Sequence, residues 1–172
     1  MSETSQNSNT PQQNIRDALA AVVYESLQPV SIGLSFLYVV FIVTHGLVLP
    51  SAVAWKMMTA AFLSAMVFVI FASLVKRSVL TVHHAHLTAA GIAHVVLGNS
   101  LLHLYLTGEI YQTTNILLTI VGAACFFLSI PSFVSVLGTA FVGWGLIAWA
   151  LPPHQRLFIS FSPCSPRQCS PC

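Results

Sequence analysis

Residues 30–49 read VSIGLSFLYVVFIVTHGLVL, twenty positions with no Asp, Glu, Lys or Arg. As a helix they would rise about 30 Å, the thickness of a bilayer's hydrocarbon core. A helix that is apolar all round must be buried in protein or in lipid. The next run decides between the two. Residues 54–75 read AWKMMTAAFLSAMVFVIFASLV, with one Lys near the start. Residues 85–106, 112–130 and 132–151 repeat the pattern. Five such runs leave too little polar chain to cover a water-soluble core. The predicted fold class is therefore all-α, a polytopic membrane helix bundle of five transmembrane helices joined by short loops. Short connections make sequential helices antiparallel neighbours.

Composition agrees. Charged residues make up 6% of the 172 and hydrophobic residues 56%, against about 25% charged in a soluble domain. A formal charge of +2, with no basic stripe and interleaved aromatics, excludes a nucleic-acid partner. Ala52-Val53-Ala54 has the small-x-small form of a signal cleavage site. The apolar run before it exceeds a signal peptide's ~7–15 residues, so it is expected to stay as the first span.

Residues 1–14 are Ser, Asn, Gln and Thr with one Pro and are expected to form a disordered cytosolic tail. Over 15–28, Ile15, Leu19, Val22, Val23 and Leu27 recur at helical spacing beside Arg16, Asp17 and Glu25. This predicts a juxtamembrane amphipathic helix, separated from the first span by Pro29; continuation into that span is the alternative. The transmembrane bundle covers 30–151. Within it Ala61/Ala65, Ala89/Ala93 and Ser135/Thr139/Gly143 recur at four-residue spacing, which lets helix backbones approach closely.

Arg16, Lys76 and Arg77 fall on one side of these spans and Lys56 on the other, which predicts a cytoplasmic N-terminus in the cell (plasma) membrane. Arg156 and Arg167 conflict with this if the chain ends after five spans. The tail, 152–172, reads PPHQRLFISFSPCSPRQCSPC, with Cys164, Cys169 and Cys172 at C-x4-C-x2-C spacing. No clear fourth ligand accompanies them for a metal or iron–sulfur site. Ser, Phe, Cys, Pro, Gln and Arg codons mostly begin with T or C. Shifted by one base, those letters become middle bases and encode apolar or small residues. The expectation is that the tail is a frameshifted reading of a lost sixth span, and the chain a fragment. A sixth span would remove the charge conflict.

Polar residues inside spans mark candidate sites. His45 lies late in the first run; Asn99 and His103 lie late in the third; Glu109 and Asn115 follow. These five are the ligand or sensing candidates, gathered at the outer end, with an outer pocket lined by His45, His103 and Asn115. Helix capping by Thr113 or Thr114 and an aromatic belt of Tyr105 and Tyr111 is the competing account. His83, His84 and His86 are weak metal candidates: imidazoles ligate metals, but no carboxylate or Cys stands near them. Haem held by His45 with His94 or His103 is a further option. No cofactor is otherwise implied. G-x-S-x-G, P-loop and H-E-x-x-H motifs are missing, so no enzyme activity is expected of this chain.

The stretch Asn99-Ser-Leu-Leu-His103-Leu-Tyr-Leu-Thr-Gly-Glu109, followed by Gln112-Thr-Thr-Asn115, Val121-Gly-Ala-Ala and Phe126-Phe-Leu-Ser129, resembles the N-terminal multi-span membrane sensor region of bacterial signalling proteins. In those, six spans precede PAS, histidine kinase or diguanylate cyclase domains. The resemblance covers about residues 30–151; the chain departs from it in lacking a sixth span and an output domain. It implies a membrane-embedded sensory or anchoring input module. The partners implied are the lipid bilayer, a cytosolic effector domain or protein and, left open, a second copy in a homodimer. The alternative is a small membrane transport or redox (haem-binding) subunit.

Overall fold

The structure, a computed structural model, describes residues 11–108, 112–126 and 130–150. They form helices α1 (Pro11–Val48), α2 (Ser51–Lys76), α3 (Ala85–Thr107), α4 (Gln112–Phe126) and α5 (Ile130–Ala150), with a 3-10 turn, Val82–His84, ahead of α3. Among the described residues there is no strand. Four helical stretches, Gln12–Val48, Ser51–Lys76, Val82–Thr107 and Ile130–Ala150, have the length and apolarity to cross a membrane.

One expectation is not confirmed and another meets a different outcome. The crossing expected over 112–130 is described as a helix over Gln112–Phe126, with a shorter apolar stretch, Thr113–Ala124; residues 127–129 lie outside the described set. The separate helix expected over 15–28 is continuous with the first span. α1 runs unbroken through Pro29 for 38 residues, about 57 Å, and begins at Pro11, inside the segment expected to be disordered. The apolar stripe supplies the reason. Val23 and Leu27 are buried, and α1 touches the 3-10 turn before α3. Tertiary packing thus holds the helix through a residue that cannot donate its backbone hydrogen bond. The tail 152–172, with its cysteines, lies outside the described residues, as does Glu109.

α1 and α2 form an antiparallel hairpin with the broadest contact in the molecule. Small residues make it: Ser31 is fully buried, Ala61 and Ala65 are buried, and Ser35 Oγ points to the Ala65 carbonyl at 3.5 Å. α3 touches all four other helices, so the most polar helix is the central one. Its Ala85, Ala89 and Ala90 are buried beside Leu97 and Leu104. α5 closes on it through Val136 and Ala140, both buried. At Gly143 an added Cβ would come within 2.6 Å of Leu101 Cδ1, so all three expected small-residue pairs lie at or beside helix contacts. Outside, Phe36, Leu47, Trp55 and Trp149 are more than 70% exposed. Apolar exposure on this scale suits lipid rather than water as the surrounding solvent.

α2 ends in a Schellman turn. Ser78 N–H donates to the Val75 carbonyl at 2.9 Å and Val79 N–H to the Leu74 carbonyl at 3.1 Å. Ser78 therefore sits at φ 54°, where glycine is the usual occupant. α3 ends on Gly108 at φ 66°, the residue type that this backbone favours.

Candidate functional site

His45 lies in the last turn of α1, and His103 is four residues before the end of α3. Both helices end at the same end of the bundle, because α2 carries the chain back between them. The two imidazoles meet there, ring centroids 5.4 Å apart and planes tilted by 44°. Behind His45 a line of rings leads inward. Phe41 stacks on His45 at 5.8 Å, Tyr38 meets Phe41 edge-on at 5.5 Å, and Phe68 of α2 meets Tyr38 at 5.3 Å. One contiguous series of aromatic contacts thus links α3, α1 and α2. Phe68 and Tyr38 are buried, which holds the inner end of the line.

The polar atoms of the pair are unequally served. His45 Nδ1 is buried and has no hydrogen-bond partner. On His103, the Thr107 hydroxyl donates to the backbone carbonyl at 2.8 Å. With its proton spent there, Thr107 Oγ1 faces His103 Nδ1 at 3.4 Å as an acceptor.

Asn99, one turn before His103, turns to a different helix. Its Nδ2 donates to Ser64 Oγ of α2 and to the Val95 carbonyl at 3.1 Å. A carbonyl can only accept, so the amide's orientation is fixed. Ser64 passes the chain on to the Ala60 carbonyl at 2.9 Å. Asn99 Oδ1 is buried and unpartnered. Asn99 is thus a bond between α3 and α2 and not a wall of the His45–His103 pair. Asn115 is exposed on the first turn of α4, where its carbonyl accepts the Thr119 hydroxyl at 2.8 Å.

At the other end, His83 and His84 are exposed, with rings edge-on at 5.5 Å. His84 Nδ1 is 2.7 Å from Thr81 Oγ1, and His86 is half-buried with Nδ1 unpartnered. Among the described residues no three His, Cys, Asp or Glu side chains come together to hold a metal ion.

No protein-family model, curated protein or solved structure matches the chain. His45 and His103 bring two imidazoles together at one end of the bundle. His94 is nine residues, about 13.5 Å of helix rise, from His103, and so lies at another depth.

His94 has a structural task that spacing alone does not assign. Its Nδ1 donates to the Ala90 carbonyl at 2.7 Å and its Nε2 meets Thr139 Oγ1 of α5 at 3.2 Å. Thr139 in turn donates to the Ser135 carbonyl at 2.9 Å. The Ser135/Thr139/Gly143 spacing was the available signal, since it marks the face of α5 that meets α3.

Proposed function

We propose that the chain is a membrane-embedded sensory or anchoring input module of a bacterial signalling protein. It crosses the inner membrane with its N-terminus in the cytoplasm and works on a cytosolic effector rather than as an enzyme itself. The observation that carries this reading is the His45–His103 contact. Ionisable side chains are expensive within a bilayer and mark functional positions when they occur there. Here two of them meet between helices, one with a buried nitrogen left unpaired. A stimulus that binds, protonates or separates the pair changes how α1 packs on α3.

On this reading α4 also crosses, assisted by local thinning of the bilayer around a short apolar helix. The bundle then makes five crossings, and Arg16, Lys76 and Arg77 share the cytoplasmic side. The N-terminal half of α1 projects into the cytoplasm. The output is a shift between two packings of the same helices. α3 is the element able to pass it on, because it touches both α1 and α5.

Spin labels test the two-packing core of the proposal. Leu37 on α1 and Val142 on α5 are exposed and tolerate labelled cysteines. The expected result in reconstituted protein is two distance populations between them, whose ratio changes in His45→Ala and His103→Ala. A single population, identical in all variants, would remove the proposal. A Soret band in the purified chain would transfer the assignment to the redox alternative.

A further inference from the structure

A groove of about 440 Å³ runs along the outside of the α1–α2 hairpin, away from the histidine pair. Its lining changes character along its length. Ile32 and Phe36 of α1 and Val69 of α2 give it exposed apolar sides. Ser35 and Ala72 are half-buried between them. At one end stand the Gln28 amide and the Lys76 ammonium. The sides are separated by small residues because Ser31 and Ser35 draw the two backbones together there. From Gln28 to Phe36 the groove follows eight residues of helix, about 12 Å, enough for the upper part of an acyl chain.

Lys76 makes no hydrogen bond or ion pair among the described residues. Its neighbour Arg77 is exposed. The hydroxyl of Ser73 is committed to the Val69 carbonyl at 2.8 Å, so the cation is the one unspent polar group on the α2 side. A ligand for this groove needs an apolar chain along Ile32, Phe36 and Val69 and a negative charge at Lys76.

We infer that the α1–α2 groove is a binding site for an anionic phospholipid of the cytoplasmic leaflet, its headgroup phosphate held by Lys76 and Gln28 and one acyl chain lying over Ala72. The inference rests on the membrane topology proposed above, which puts Lys76 at the cytoplasmic surface. Basic pockets between spans on that side are suited to anionic headgroups. Because the site lies on α1 and α2 alone, an occupying lipid clamps the hairpin against which α3 moves.

The test uses the full chain in phosphatidylcholine vesicles doped with phosphatidylglycerol, with retained lipid counted by native mass spectrometry after extraction. Resistance of the protein to alkaline extraction from the vesicles checks the membrane reading by itself. Wild type should retain phosphatidylglycerol over phosphatidylcholine. Lys76→Gln should lower that retention about fivefold, the weight of one basic residue at an anionic surface. Val69→Trp, at an exposed position, should fill the groove and lower it comparably with Lys76 intact. Lys56→Gln, at the opposite end of α2, should leave it unchanged. Wild-type retention in Val69→Trp would reduce the effect to surface charge and overturn the site. Equal retention of the two lipids, or displacement of phosphatidylglycerol by inorganic phosphate, would overturn it too.

Discussion

His103 and Asn99 lie one turn apart on α3, yet they serve different helices, His103 meeting His45 of α1 and Asn99 bonding Ser64 of α2. Their separation has a consequence for mutation. Asn99→Ala removes an interhelical bond of a kind worth about 0.6–2 kcal/mol within a membrane. It should lower the unfolding temperature in detergent while leaving the two-packing ratio alone. His103→Ala should do the reverse, moving the ratio with a smaller stability loss. His83→Ala, at an exposed position, should affect neither. A stable Asn99→Ala protein with an altered ratio would show that the polar group works as one unit. At this scale the placing of His45 and His103 toward the ends of their helices was legible in the sequence. Their partners were not. A helical wheel puts Asn99 and His103 within about 40° of each other, and only the positions of α1 and α2 around α3 separate them. Thr139 is a similar case. On its own helix it is one small residue among several, and its bond to His94 needs α3 brought alongside.

Element ends and contacts carry the next two predictions. Ser78 occupies the left-handed position of a Schellman turn, a conformation that costs a residue with a Cβ about 1–2 kcal/mol. Ser78→Gly should therefore stabilise the α2 terminus, raising the unfolding temperature in detergent; a lower temperature would mean that the serine hydroxyl contributes there. Gly143 makes the opposite case. An added methyl meets Leu101 Cδ1 at 2.6 Å, so Gly143→Ala should force Leu101 aside and destabilise by about 1–3 kcal/mol, the usual cost of overpacking. Leu101→Ala in the same chain should recover part of that loss, because the two changes share one space. Additive losses would place the damage elsewhere. The glycine's partner was hidden in the sequence, but its stripe was visible. The helices were visible too, except where a local rule misled. Pro29 reads as a break, yet α1 passes through it because Val23 and Leu27 before it, and Ser31 and Tyr38 after it, are buried in one bundle. The run 112–130 is described as a helix over Gln112–Phe126, shorter than the four stretches long enough to cross a membrane.

For the whole molecule, the arrangement of polarity sets what can move. The helix with the most histidines is the one in contact with all the others, while the outer faces of α1, α2 and α5 are apolar. Such a bundle has little hydrophobic drive holding its helices together in lipid, because lipid tails are as apolar as the core. Close backbone contact and a few polar bonds hold it instead, and these differ between neighbours. The α1–α2 hairpin is broad and close-packed, whereas α5 reaches α3 through Val136, Ala140, the His94–Thr139 bond and the Leu101–Gly143 contact. Rearrangement should therefore pass between α3 and α5 rather than within the hairpin. Which side the signal comes from depends on which end faces the cytoplasm, and a labelling experiment decides that. With the four native cysteines replaced, a cysteine at Ser51 lies at the histidine-pair end and one at Val79 at the Lys76–Arg77 end, both at exposed positions. Impermeant maleimide on intact cells should label the Ser51 site and should reach the Val79 site only after the inner membrane is opened. The opposite pattern would invert the bundle, put the lysine groove in the outer leaflet and turn the histidine pair toward the cytoplasm. The pair would then answer to an intracellular signal, and the projecting half of α1 would lie outside the cell.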